Sequence, residues 1–147
     1  MDPQTRLANL DAGASPVMIA KLESGYAVMG DNQYLPGYCL LLASPLVERL
    51  NDLQGSTRAL FLSEMALLGD AVLAATACAR INYGIYGNLD KFLHVHIWPR
   101  YDWENPEHTK IPPFLFPEKF RTEPKNDFSL ELHGKLIDEI RAALLNR

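Results

Sequence analysis

Two of the chain's four histidines lie two residues apart in "KFLHVHIWPRY", residues 91–101. Imidazole is the one side chain that ordinarily changes charge near neutral pH, and it serves as nucleophile, acid, base or metal ligand. In a strand, successive side chains point to opposite faces. Leu93, Val95 and Ile97 then share an apolar face, and Phe92, His94, His96 and Trp98 share the other. Same-face neighbours stand about 7 Å apart, so one phosphate group can touch both imidazoles. Three uses of such a pair are open. The rings can simply pack on a half-exposed face. They can be two ligands of a metal, with a third from His108, His133 or Asp90. Or one ring can attack phosphorus to form a covalent intermediate while the other holds the non-bridging oxygens.

The rest of the chain must supply a scaffold for that strand. At 147 residues it reads as one domain, 1–147, long enough to bury roughly 70% of its unfolded surface. Apolar residues make up 48% and charged residues 22%, a globular balance. The net charge of −4 argues against a broad nucleic-acid face but leaves room for a small anionic ligand held by local donors. Cys39 and Cys78 sit in apolar segments without metal-type spacing, which reads as two reduced thiols in the cytoplasm, though a disulfide between them stays open. The N-terminus lacks a signal-peptide pattern, and no apolar run reaches the length of a membrane span.

Residues 1–16 read as a flexible arm or a short leading helix. Two strands in 17–31 are split by Ser24-Gly25, and residues 38–44 form a buried strand after the Pro36-Gly37 turn. A short helix is expected in 44–53. The long helix is expected over 56–79, capped by Ser56 or Thr57, with Leu60, Met65, Leu68, Val72 and Ala75 at helical spacing and most of its circumference buried. Residues 80–87 read as a strand, 88–91 as a turn, and 92–99 as the histidine strand, stopped by Pro99. The segment 102–126 carries five prolines with Trp103, Phe114, Phe116 and Phe120, which suits a packed lid, a base-stacking wall or a dimer arm. An amphipathic helix over 128–147 closes the chain, with Leu132, Leu136, Ile140 and Leu144 on one stripe. Hairpin-sized connections favour an antiparallel sheet and an α+β class.

The string "HVHIWPRY" after Gly87-Asn88, with an upstream "LPG" and an apolar strand, resembles the histidine-triad (HIT) family. That family's motif is three histidines alternating with apolar residues, often followed by Pro-Arg. The resemblance spans about residues 18–101, each piece being loose by itself. It implies a five-stranded antiparallel sheet with one long helix, a homodimer, and a nucleotide ligand. It also implies hydrolysis or nucleotidyl transfer at the α-phosphate of a dinucleoside polyphosphate or nucleoside phosphoramidate. Anchored on Pro99-Arg100, His94 takes the nucleophile's place and His96 that of a phosphate contact. Asn88 matches a phosphate-binding position, Asn82 another with a one-residue gap, and Asp31 or Asn32 the ribose position. Turn chemistry accounts for Asn32 and Asn82 equally well. Arg100 can contact an anion or lie in solvent. The covalent step needs no cofactor, since histidine is the nucleophile.

Two positions depart from the pattern. Phe92 stands where the first triad histidine belongs, and Tyr38 where the family commonly has histidine after Pro-Gly. Phenylalanine has no donor or acceptor, so the second ring nitrogen of His94 needs another partner, and a backbone carbonyl is the expected one. A hydrolase or transferase therefore competes with a nucleotide-binding module of weak or no activity, and more distantly with a metal-dependent hydrolase.

Overall fold

Residues 1–146 are described by the computed structural model of the chain. Its elements are α1 (Pro3–Asp11), β1 (Met18–Lys21), β2 (Gly25–Met29), β3 (Cys39–Ala43), α2 (Gly55–Thr76), β4 (Arg80–Gly84), β5 (His94–Arg100), α3 (Glu118–Arg121) and α4 (Leu130–Leu145). The strands form one antiparallel sheet in the order β1-β2-β3-β5-β4. The α+β class, the five strands, the long helix and the C-terminal helix all follow the sequence reading.

Strand parity organises the layers. Leu93, Val95 and Ile97 enter a core formed with β2, β3, α2 and α4, where Leu41, Phe61, Leu68, Val72 and Ile140 are fully buried. The opposite face carries Phe92 into a second cluster with Leu10, Tyr26, Val28 and Leu42, and Trp98 into a third with Leu35 and Phe116. Both faces of β5 are thus covered, and the two histidines lie between the second and third clusters.

Residues 1–16 include an ordered helix, the second of the two alternatives. Asp2 caps it by accepting from the Thr5 amide at 2.9 Å, and Pro3 sits at the first helical position. Leu7 and Leu10 of α1 then pack against Phe92 and its neighbours.

Several local expectations change. The long helix starts at Gly55 after Gln54, so neither Ser56 nor Thr57 caps it. It ends at Thr76 because Ala77 adopts a left-handed φ of 53° and turns the chain into β4. Five of its residues are fully buried, since the sheet and α4 cover one side only. Over 18 residues α2 has a mean hydropathy of 1.6, long and apolar enough by composition to cross a membrane, which no uninterrupted apolar run suggested; here Phe61, Leu68, Ala71 and Val72 pack into the core. Residues 44–53 hold a single 3-10 turn, Leu50–Asp52, closed by the Arg49 amide donating to Asp52 at 2.9 Å. In α4 the buried residues are Ile137, Ile140 and Leu144, while Leu132 is 65% exposed; Arg147 lies outside the described residues. Cys39 and Cys78 are buried free thiols.

Pro99 does not stop its strand but lies inside it, paired with Ile81. The Arg100 carbonyl accepts from Ala79 on the β4 side, so the backbone groups of Pro99 face the other way. The β3 ladder has already ended there, at Ile97, so the missing N–H costs no ladder bond.

Arg100 is buried, not solvated, and it organises the proline-rich segment. Its guanidinium donates to the Glu104 carboxylate at 2.9 and 3.1 Å, to Asn82 Oδ1 and the Ile111 carbonyl at 2.9 Å each, and to the His108 carbonyl at 2.8 Å. Glu104 also accepts from the Tyr101 amide at 2.7 Å. Five prolines leave this segment few backbone donors, and the single arginine fork fastens it to β5 and β4. Glu104→Ala would leave a buried guanidinium unpaired. It is expected to lower unfolding free energy by about 3–5 kcal/mol in urea titrations. Asp138→Ala, at the exposed pair with Arg141, should change it by about 0.5 kcal/mol or less.

Candidate active site

His94 and His96 face the same side of the sheet, opposite Leu42 and Leu40 of β3. Their rings meet edge to face with centroids 5.0 Å apart. Each has a different partner for its Nδ1 atom.

His94 is 7% exposed, and its Nδ1 lies 2.8 Å from the carbonyl oxygen of Phe92, the partner expected from sequence. A carbonyl only accepts, so Nδ1 carries a proton, and in the neutral ring the lone pair is on Nε2. The Phe92 ring stacks on the imidazole at 4.5 Å, and α1 holds Phe92 from behind. Phe92 therefore orients His94 through both its backbone carbonyl and its ring face.

His96 Nδ1 lies 2.7 Å from the Tyr38 hydroxyl. Its ring lies parallel to Trp98 at 4.8 Å, and Tyr38 stacks on Trp98 at 5.7 Å. Trp98 Nε1 in turn donates to the Tyr34 hydroxyl at 3.0 Å. Burial, aided by neighbouring His94, pushes the His96 imidazole down to about 4, so it is neutral at pH 7. Burial also pushes the Tyr38 phenol far above its ordinary value and Tyr34 up to about 12. Tyr38 is held by its own backbone, because its carbonyl accepts from Gln33 Nε2 at 2.8 Å and from the Gly30 amide at 2.9 Å. A Cβ on Gly30 would stand 2.3 Å from the Tyr38 ring, so only glycine fits there without moving it.

These rings floor a cleft of about 630 Å³. Arg6, Asn9 and Leu10 of α1 form one wall. Asp31, Tyr34 and Tyr38 form another, and Tyr86 and Asp90 come from the connection between β4 and β5. Phe114 and Arg121 of the proline-rich segment complete it. Of the residues singled out in the sequence, His94, His96, Asp31 and Asn32 line this cleft. Asn82 and Asn88 do not.

Asn32 lines the rim, but its amide is occupied as a fastener. It donates to the Glu123 carbonyl at 2.9 Å and to Asp127 at 3.1 Å, and accepts from the Tyr34 amide at 3.0 Å. Asn82 accepts from Arg100, and Asn88 is exposed in the turn before β5. Phe114 lines the cleft as an aromatic wall. Phe116 is buried against His108, and Trp103 is 64% exposed and stacks on Tyr101 instead. Among the described residues no group of three His, Cys, Asp or Glu is placed to hold a metal ion. His133 accepts from the Ser129 amide at the start of α4, and His108 stacks between Phe116 and Phe120. Sequence reasoning passed over Arg6, Tyr86 and Arg121, which come from segments without a motif. Tyr38 alone carried a signal, its place after Pro-Gly.

The neutral His96 makes a stability prediction. Between about pH 6.5 and 4 the unfolded chain takes up a proton at this residue that the folded chain does not. Unfolding is thus favoured as pH falls through that window. Melting temperature should drop from pH 7 to pH 4, and His96→Asn should make that drop shallower. An unchanged slope in the variant would contradict the assignment.

No family model and no curated sequence matches the chain. Solved structures do. A histidine triad protein from Sinorhizobium meliloti superposes with a TM-score of 0.70 at 20% identity, covering 84% of this chain and 86% of the other. A hypothetical histidine triad nucleotide-binding protein from Sulfolobus tokodaii gives 0.72 at 18% identity, over 97% and 92%. A histidine triad protein from Marinobacter aquaeolei gives 0.67 at 18%, over 97% and 94%. With the sheet order, the long helix and the paired imidazoles of β5 in place, the chain has the fold of the histidine-triad proteins.

Proposed function

We propose that the cleft binds a nucleotide and that His94 attacks its α-phosphorus, making the protein a nucleotide hydrolase or nucleotidyl transferase. One observation carries the reading. His94 has its Nδ1 proton on the Phe92 carbonyl, which leaves the Nε2 lone pair free, with a second imidazole 5.0 Å away. In the first step the Nε2 lone pair forms a P–N bond as the bond from phosphorus to the leaving group breaks, and the leaving atom takes that electron pair. The imidazole gains positive charge, and the Nδ1–H bond to Phe92 O strengthens as it does. Water, or another acceptor in a transferase, then attacks phosphorus and releases His94. His96 contacts a non-bridging oxygen.

The remaining roles follow from placement. Asp31, on the rim, suits the ribose hydroxyls. Asn88, matched to a phosphate-side donor of the family motif, lies exposed on the turn leading into β5 outside the cleft, and that role would require the turn to move inward. Asn32 and Asn82 serve the scaffold through the bonds described above, and any ligand role for them would require those bonds to break. Tyr86 and Phe114, in contact at 5.0 Å, offer a surface for a base. A nucleotide-binding module is the second reading, favoured by Phe92, which puts a hydrocarbon ring where a third polar group would act on the substrate.

A second copy fits the β4 edge. The β1 edge is covered by Arg141 of α4, which donates to the carbonyls of Ile19 and Met18 at 2.6 and 3.2 Å. β4 pairs with β5 alone, and beside it α2 exposes Leu73 and Ala66, with Tyr83 seated on Gly69. An open edge flanked by apolar surface is the feature that a homodimer would cover. Two buried free thiols fit a cytoplasmic setting.

Incubation with diadenosine tetraphosphate, followed by acid-free quenching and mass spectrometry, should find a nucleotide on the peptide that contains His94. His94→Asn should lose that adduct and lower turnover by about a thousandfold or more. Turnover that survives the substitution would remove His94 as nucleophile, and saturable binding without turnover would select the binding module. In sedimentation, Leu73→Glu should convert a dimer of about 33 kDa, twice the 16.5 kDa chain, to monomer.

A further inference from the structure

We infer that Tyr38 and the Phe92 carbonyl hold His96 and His94 in opposite tautomers, and that this pair selects substrates whose leaving group departs as an anion, a phosphoanhydride rather than a phosphoramidate. The inference rests on the proposed attack by His94.

The assignment at His94 is forced by its carbonyl partner. At His96 it follows from acidity and basicity. A phenol is the stronger acid of the two N–H or O–H donors, and an imidazole nitrogen the stronger base of the two acceptors. The 2.7 Å bond is therefore O–H to Nδ1. The reverse arrangement would leave the Tyr38 proton without an acceptor, because this hydroxyl makes no other hydrogen bond among the described residues. A ring flip is closed off as well. It would put a carbon against the hydroxyl, and the ring is held by the parallel Trp98. His96 thus turns Nε2–H, and His94 a bare Nε2, outward from the sheet.

The chemistry of that pair is specific. One atom supplies the electron pair that forms the bond to phosphorus. The other donates a hydrogen bond to a non-bridging oxygen while keeping its proton. Because His96 stays neutral at pH 7, it is too weak an acid to hand a proton to a departing amine. The charged side chains on the cleft walls do not fill that gap. Asp31 and Asp90 are carboxylates, which accept when ionised; Arg6 and Arg121 keep their protons. Burial pushes the Tyr34 phenol up to about 12, and the Tyr86 hydroxyl lies against Gly84. When a phosphoanhydride reacts, the electron pair of the broken P–O bond goes to a phosphate oxygen that is stable as an anion. When a phosphoramidate reacts, the pair goes to nitrogen, which needs a proton that none of these side chains is set to give. Arg6 and Arg121 put positive charge on the cleft walls, which suits an anionic leaving group.

Tyr38 is a positioning residue in this scheme, and its test separates tautomer from turnover. Nitrogen-15 NMR of the histidine side chains in the wild-type protein should show His94 protonated at Nδ1 and His96 at Nε2. In Tyr38→Phe the His96 signature should shift toward the other tautomer while that of His94 stays. A wild-type His96 protonated at Nδ1 overturns the assignment, whether or not the variant folds. In parallel, kcat/KM of the wild type on diadenosine tetraphosphate should exceed that on adenosine 5′-phosphoramidate by about a hundredfold or more, and Tyr38→Phe should lower the former by about tenfold. Equal or faster cleavage of the phosphoramidate overturns the selectivity. If neither compound is turned over and no adduct forms on His94, the proposed function fails and the selectivity with it, while the NMR result still decides the tautomers.

Discussion

The burial of β5 on both faces is the constraint on which the rest of the molecule depends. One face must be apolar to close the core against α2 and α4, and Leu93, Val95 and Ile97 meet that demand. The other face cannot be left open either, yet it carries two imidazoles. The fold resolves this by covering the flanks of the face. Phe92 at one end is covered by α1, and Trp98 and Arg100 at the other by the proline-rich segment. Between them lie the buried His94 and the half-buried His96, which line the floor of the cleft.

That arrangement explains why such different segments serve the site. A helix of nine residues is marginal alone, and α1 persists through capping by Asp2 and the contacts of Leu7 and Leu10. The proline-rich segment has little secondary structure of its own, and its order comes from the buried Arg100–Glu104 pair, from Asn32 donating to the Glu123 carbonyl, and from Phe116 packed with Leu35 and Trp98. Both walls of the cleft are therefore held by a few long-range contacts to β5 and its neighbours. The core layer beneath is held by many apolar contacts, each small and mutually supporting. Local opening should begin in these walls, before the core layer opens.

The features legible in the sequence were those encoded by periodicity or by a short motif. Two-residue alternation placed His94 and His96 on one face, and the apolar runs located every strand and both longer helices. The places where the reading went astray share a cause. Pro99 looked like a terminator because the sequence does not reveal on which side a neighbouring ladder has already ended. Arg100 looked solvated because its partner, Glu104, sits in a segment with no periodicity. Asn82 and Asn32 matched positions of a binding motif, but their amides are committed to tertiary bonds that only the folded chain reveals. Arg6 and Arg121 approach the cleft from opposite ends of the sequence, and nothing local marks either. The resemblance to a family carried the fold further than it carried individual side chains, because a fold tolerates substitution at most positions and a hydrogen bond does not.

Phe92 and Tyr38 are best understood together. A histidine at position 92 would place a polar ring in the cluster formed by Leu10, Tyr26, Val28 and Leu42, where burial without a partner is costly. Phenylalanine removes that cost and lets α1 dock, while the backbone carbonyl, which does not depend on the side chain, continues to orient His94. What is lost is a third ring able to exchange protons. A tyrosine at position 38 does not restore one, since burial keeps its proton in place, but it gives the remaining partner a fixed donor direction. Both residues act on the site the same way, giving each imidazole a fixed partner for its Nδ1 atom. A site of that kind works by preorganised electrostatics more than by proton transfer. On the proposed attack by His94, such a site would favour leaving groups that need no help in departing.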